Sequence, residues 1–105
     1  MKNYPGVKSP PKPIHYRYPN GYKLTATVVD EVYARSSGEG GDYLFVIQKI
    51  DHPGWSPRSG IRFGYYRKEK REEKWRWGSQ TTFHTDKSTA ETIIRKAIAK
   101  RLLNI

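Results

Sequence analysis

Alternating apolar and polar residues predict strands from Tyr22 onwards. The even positions from Tyr22 to Val32 are apolar except for Asp30, and most of the odd positions are polar, which is typical of a half-buried strand. Residues 43–47 follow a glycine-rich loop and are apolar on both faces, so they predict a central strand. Residues 61–68 and 74–84 alternate again. The pattern therefore predicts four antiparallel strands.

The pattern changes to a helical period near the C-terminus. Ser88 to Glu91 has the spacing of a capping box, and apolar residues then recur at Ala90, Ile93, Ile94, Ala97, Ile98 and Leu102. The sequence thus predicts an α+β fold, in which a C-terminal amphipathic helix packs on one face of a four-stranded antiparallel sheet. We expect the helix to cover the odd-numbered face of the sheet and to leave the basic even-numbered face in solvent.

The first 21 residues differ in composition from the rest of the chain. Five of the seven prolines lie there beside several cations, and proline lacks the amide proton that a helix or a sheet needs. We predict a flexible basic arm over residues 1–21 and a single domain over residues 22–105. The arm contains a PxxP spacing at Pro10-Pro11-Lys12-Pro13, but a solvated tail is the favoured interpretation.

In the last two strands the alternation separates aromatic from cationic side chains. The odd positions include Phe63, Tyr65, Trp75 and Trp77, and the even positions carry Arg62, Tyr66, Lys68, Lys74, Arg76 and Gln80. This arrangement predicts an aromatic layer inside and a basic layer outside, with the Tyr66 ring placed to stack on an unpaired base.

The pairing of these two strands also follows from the pattern. Aligning odd with odd positions about Arg71 sets Gly64 opposite Gly78. The two glycines would leave a bare patch on the outer face or, equally, mark a bulge that curves the sheet. The loop before them, residues 51–60, contains Trp55 and Arg58 as further binding candidates. A tryptophan in a polar loop either folds back onto the core, which is favoured, or waits for a ligand.

The composition agrees with a polyanion as partner. The 105 residues contain 20 Lys and Arg against 10 Asp and Glu, which gives a net charge of +10 and a pI near 9.9. Nucleic acid is the commonest such partner, and a membrane partner is not expected because no lipidation motif begins the chain. Without a long apolar run or a hydrophobic signal core, the sequence predicts an intracellular protein. The lack of cysteine excludes disulfides and thiolate chemistry.

Catalytic and metal-binding patterns are weak. The three histidines have no paired spacing. Glu72-Glu73-Lys74 contains an ExK fragment of the kind found in many nucleases, and Asp30, Asp42 or Asp51 would have to supply a second carboxylate for magnesium. A charge run at a hairpin tip is more often a solvated turn. We therefore predict a protein without enzymatic activity, cofactor or metal.

The order of elements resembles the family of the transcriptional coactivator positive cofactor four and the related Whirly proteins. The resemblance covers about residues 22–103 and rests on residues 61–67, 74–78 and 90–102. Such proteins bind single-stranded DNA on the sheet and dimerise. The resemblance therefore implies a single-stranded DNA partner, a homodimer and an accessory role in transcription or replication. It points to Arg62, Tyr66, Lys68, Lys74 and Arg76 as binding residues.

A second similarity concerns small DNA-binding domains with three strands and a helix, such as the plant ethylene-response domain and the arm-binding domains of tyrosine recombinases. Trp75-Arg76-Trp77-Gly78 and Ala90 match their strand and helix positions, and their target is the duplex major groove. We predict non-catalytic binding of single-stranded nucleic acid, with DNA favoured. Duplex DNA or RNA binding and a protein-interaction module are the alternatives. The candidate binding residues are Trp55, Arg58, Arg62, Tyr66, Lys68, Lys74, Arg76 and Gln80.

Overall fold

The computed structural model of the protein describes residues 4–38, 41–78 and 85–104. These ranges contain one antiparallel sheet, whose strands lie side by side in chain order, and one C-terminal helix. The α+β fold is confirmed, but the predicted count of four strands is wrong because there are five. The elements are β1 (Lys12–Arg17), β2 (Lys23–Gly38), β3 (Gly41–Asp51), β4 (Ser59–Lys68), β5 (Arg76–Trp77) and α1 (Lys87–Ala99).

The additional strand, β1, lies inside the segment that was predicted to be a flexible arm. All of its residues pair with the first part of β2, from Lys23 to Val28. Pro13 is tolerated because β1 is an edge strand, where a missing amide proton can face away from the sheet. Ile14 is buried against Ala26, Val28 and Ile50. The hydrophobic contact of Ile14 therefore holds this segment to the sheet despite its prolines.

An irregularity in β2 reverses which residues face which side. The register between β2 and β3 shifts between Val28 and Asp30, so that one extra residue is inserted into β2. As a result, Asp30 points to the side of the sheet that carries α1, where it pairs with Lys100 at 2.8 Å. Glu31 points to the opposite side and is buried. This shift explains why Asp30 did not fit the alternation in the sequence.

The face of the sheet under α1, here called the helix face, holds the larger core. It joins Val32, Ala34, Phe45, Ile47 and Tyr65 of the sheet to Ile93, Ala97 and Leu102 of the helical segment. The helix begins after Asp86, whose Oδ2 accepts a hydrogen bond from the Thr89 amide at 2.9 Å. The predicted capping box at Ser88 is therefore wrong by two residues.

The opposite face of the sheet, here called the arm face, was predicted to be a solvated basic layer, and that prediction is wrong. It buries Leu44, Val46, Tyr66 and Trp75, which are covered by Tyr4 and Val7 of the N-terminal segment. The Trp75 amide donates to the Pro5 carbonyl at 2.8 Å and holds this cover in place. The sheet curls around the arm face, since Lys12 Nζ on β1 reaches Tyr66 Oη on β4 at 2.9 Å.

The predicted pairing of β4 with β5 is wrong by one residue. Tyr66 pairs with Trp77 and Arg67 with Arg76, so Gly64 does not face Gly78. A slip of one residue moves every side chain to the other face. Trp77 therefore shares the arm face with Tyr66 and stays 40 % exposed, although it was assigned to the buried layer. Phe63, also assigned to that layer, is 50 % exposed.

Candidate nucleic-acid interface

A buried carboxylate organises the arm face. The Glu31 side chain is only 1 % exposed. Its Oε1 accepts hydrogen bonds from Lys12 Nζ at 2.6 Å and from the Tyr33 hydroxyl, and its Oε2 accepts one from Gln48 Nε2 at 2.8 Å. A charge can remain in such a place only when it is paired and hydrogen-bonded, as Glu31 is. The bulge in β2 is what directs this carboxylate into the interior.

The hydrogen bonds continue from Glu31 to a tryptophan at the surface. Gln48 Oε1 accepts a hydrogen bond from Arg62 Nε at 2.7 Å. The Arg62 guanidinium carbon lies 4.3 Å from the centre of the Trp77 ring, within the range of a cation–π contact. Burial lowers the pKa of Arg62 below its ordinary value. Arg62 was predicted to be a free surface cation, but the structure places it as a half-buried support for Trp77.

Two tryptophan rings lie against glycines of β4. A Cβ atom at Gly60 would be 1.9 Å from Cζ3 of Trp55, and one at Gly64 would be 2.2 Å from Cη2 of Trp77. The rings therefore occupy space that any other side chain would fill. They remain 44 % and 40 % exposed, respectively. Four residues of a strand separate the two glycines by about 13 Å. Trp55, Arg62 and Trp77 together are called the tryptophan platform below.

The Trp55 end of the platform is held by a histidine. The rings of His52 and Trp55 stack with their centres 4.2 Å apart and their planes 5° from parallel. The His52 ring is fixed in turn, because its Nδ1 accepts the Gly54 amide at 3.0 Å and Tyr16 packs at 5.3 Å. Trp55 thus folds back onto the sheet, as favoured from the sequence, and still leaves much of its ring to solvent.

The other predicted cations belong to the loop and the hairpin that carry the two platform tryptophans. Arg58 lies in the same loop as Trp55 and bonds to Asp51 at 2.8 Å, which raises the pKa of the guanidinium. Arg76 pairs with Arg67 in the register, so its side chain points to the helix face and not to the face of Trp77, and it bonds to Glu72 at 2.8 Å. Exposed ion pairs of this kind are weak, so a phosphate can replace the carboxylate at little cost. Lys68 and Lys74, two further predicted binding residues, belong to the same hairpin.

Tyr66 does not occupy the open position that was predicted for it. Its side chain is 8 % exposed, its ring meets Trp77 edge-on at 5.0 Å, and Lys12 lies over its other side. The ring is therefore part of the arm-face core and cannot stack on a base. Gln80, also a predicted binding residue, lies outside the described residues. Trp77 is the exposed aromatic residue next to Tyr66 on this face, and it was missed because the predicted register put it inside.

The described residues show neither a metal site nor a helix that could cross a membrane. Over residues 4–38, 41–78 and 85–104, no three His, Asp or Glu side chains lie close enough together to hold a metal ion. In the same ranges no helix is both long and apolar enough to span a bilayer. No protein-family model, no curated protein and no solved structure matches the chain.

Tyr33 gives a prediction for alkaline pH. Burial, followed by the hydrogen bond to Glu31, raises its pKa far above the ordinary value of 10.0. The unfolded chain loses this proton near pH 10 and the folded protein keeps it, so the contribution of Tyr33 to stability is complete below pH 10 and declines above it. We expect the free energy of unfolding, measured in urea, to fall more steeply between about pH 10 and 11 than it does for Tyr33→Phe. Equal slopes for the two proteins would contradict this assignment.

Proposed function

We propose that the protein binds single-stranded nucleic acid, with DNA favoured, through the tryptophan platform and without catalysis. The observation that supports this function best is the pair of half-exposed indole rings of Trp55 and Trp77, which lie against glycines of one strand, with the Arg62 guanidinium over the Trp77 ring. Bases of every sequence present a flat face, so stacking on aromatic rings gives affinity without strict sequence preference. Because the glycines beneath the two rings are about 13 Å apart along β4, the rings would engage two bases that are not adjacent.

Cations in the loop and the hairpin that carry the two tryptophans would bind the phosphates of the strand. Arg58 lies near the Trp55 end, and Lys68, Lys74 and Arg76 lie in the hairpin that carries Trp77. A net charge of +10 attracts a polyanion from a distance, and these cations would then follow its phosphates. Their present carboxylate partners, such as Glu72, are exposed enough to be exchanged.

A single strand fits the platform better than a duplex does. Double-stranded nucleic acid keeps its bases stacked on each other and presents only its backbone and groove edges to a protein. Two fixed tryptophan rings would find no free base face there. Binding through phosphates alone would leave the exposed indoles without a role, so the rings favour the single-stranded partner.

Salt dependence tests the proposal. If ~4 to 6 phosphates are neutralised, the logarithm of the affinity for a short oligodeoxythymidine should fall against the logarithm of the salt concentration with a slope of about −3 to −4. Fluorescence anisotropy of a labelled strand measures this slope, and a duplex of equal length serves as the control. An affinity independent of salt, or tighter binding to the duplex, would contradict single-strand binding.

A further inference from the structure

The second half of β2 has a strand on one side only. β1 pairs with residues 23–28, whereas β2 continues to Gly38 and pairs with β3 throughout. Residues 31–38, here called the β2 edge, therefore have no neighbouring strand on the outer side among the described residues. An unpaired strand edge presents main-chain donors and acceptors that another chain can use.

Side chains already form hydrogen bonds with some of the main-chain groups at this edge. Lys96 Nζ donates to the Tyr33 carbonyl at 2.8 Å, and the Glu31 amide donates to Asp30 Oδ1 at 2.9 Å. Both bonds stand in the place of a missing strand. Outward-pointing groups recur at every second residue of an antiparallel strand, so Arg35 and Ser37 follow Tyr33 in this direction. Within the described chain, no backbone group bonds to the outward amides of Tyr33, Arg35 and Ser37.

A groove runs beside the same edge. It has a volume of about 510 Å³ and lies between β2, the N-terminal segment and the last turns of α1. Its walls are largely apolar, and two lysine side chains stand among them. The lining residues are Tyr4, Glu31, Val32, Tyr33, Lys96, Ala99 and Lys100. A strand added to the edge would therefore find a recess for alternate side chains, with cations beside it.

We propose that the β2 edge binds an extended, acidic peptide segment of another protein by strand addition. Main-chain hydrogen bonds to Tyr33, Arg35 and Ser37 would continue the sheet, and an acidic side chain would draw Lys96 away from the Tyr33 carbonyl, which the peptide backbone then reaches. Charge decides between the occupants that could fill this edge. The cations next to the edge are Lys96 in the last turn of α1 and Lys100 at its C-cap; Lys100 pairs with Asp30, whereas Lys96 forms no ion pair within the described residues.

Two other occupants fit less well. A second copy of this chain would bring another net charge of +10 and a second set of α1 lysines to the same edge. A nucleic acid has no row of amide and carbonyl groups with which to extend a sheet. The peptide site is separate from the tryptophan platform, because it lies at the free side of β2 and the platform lies on β4.

The test uses a fluorescein-labelled octapeptide of alternating valine and glutamate. We expect fluorescence anisotropy to show binding that Lys96→Gln weakens about threefold, as for one partly exposed ion pair. Lys87→Gln, at the far end of the same helix, is the matched control and should bind as the unchanged protein does. An equally tight complex with the valine–lysine version of the peptide would overturn the choice of an acidic partner.

The main-chain contacts are tested separately. Bound peptide should slow hydrogen exchange at the amides of Tyr33, Arg35 and Ser37, and a peptide N-methylated at alternate residues should not bind. Absence of binding, binding without slower exchange at these amides, or displacement by oligodeoxythymidine would each overturn the proposal. A dimeric protein in which these amides are protected before peptide is added would overturn it in favour of a second copy.

Discussion

Glu31→Ala is expected to lower the free energy of unfolding by about 3 to 5 kcal/mol, the range for breaking a buried ion pair by removing one partner. The substitution leaves the Lys12 ammonium, whose side chain is 10 % exposed, without its counter-charge. It also removes the acceptor for the Tyr33 hydroxyl and for Gln48 Nε2. These groups have little exposure to solvent, so the loss of the carboxylate leaves a largely buried charge and buried polar groups without their partner.

Urea denaturation measures this effect, and the chain offers a matched control. Glu91 also faces a cation, but its pair with Arg95 is 4.0 Å long and exposed on α1. Glu91→Ala should therefore change the free energy of unfolding by no more than about 0.5 kcal/mol. A loss below about 1 kcal/mol for Glu31→Ala would show that the hydrogen bonds of this network do not depend on the carboxylate.

The double variant Trp55→Ala with Trp77→Ala should weaken single-strand binding about thirtyfold or more. Each stacked base contributes ~1 to 3 kcal/mol by alanine substitution, and two rings are removed. Tyr43→Ala is the control, because Tyr43 is an aromatic residue of similar exposure, 38 %, on the helix face. Fluorescence anisotropy at low salt gives the affinities. Similar losses for the double variant and for Tyr43→Ala would contradict the platform.

A glycine variant tests the position of the ring without removing it. Gly64→Ala places a methyl group only 2.2 Å from Cη2 of Trp77. This distance is too short for two carbon atoms that are not bonded, so the indole must move off the strand. Binding should weaken by about tenfold, within the range for one stacked base. Among the described residues, a Cβ atom at Gly38 meets no neighbouring atom closer than 3.7 Å, so Gly38→Ala should leave binding unchanged. Unchanged binding by Gly64→Ala would mean that the ring need not lie against β4.

The elements with a strong and regular hydrophobic period were predicted well. Residues 43–47 are apolar on both faces because β3 is central and packs on both sides, with Phe45 in the helix-face core and Leu44 in the arm-face core. The helix followed from its apolar spacing, and Ile93 and Ala97 are its buried residues. Such patterns depend on burial alone, and the sequence contains that information directly.

The candidate site was predicted poorly, because it depends on which face of the sheet each strand residue points to. One inserted residue near Val29 reverses the faces of β2 and sends Glu31 inside. One residue of slip between β4 and β5 brings Trp77 to the surface beside Arg62. No turn motif at residues 69–73 fixes the register of this hairpin, so the pattern of side chains had to decide it.

The N-terminal segment was the other source of error. Tyr4, Val7 and Trp75 together cover the arm face, so that Tyr66 is buried and unavailable for stacking. Prolines in this segment suggested a solvated tail, but proline does not prevent an extended chain from lying on a sheet or forming its edge. The glycines at positions 60 and 64 were the available signal for the platform, since two positions without side chains on one face of a strand leave room for rings.

The three indole N–H signals of the protein provide the most direct measurement of single-strand binding. An NMR titration with oligodeoxythymidine should shift the signals of Trp55 and Trp77, which are half-exposed. The signal of Trp75 should stay in place, because that ring is 5 % exposed beneath Tyr4. Three unchanged signals in the presence of excess strand, or a shift confined to Trp75, would contradict binding at the tryptophan platform.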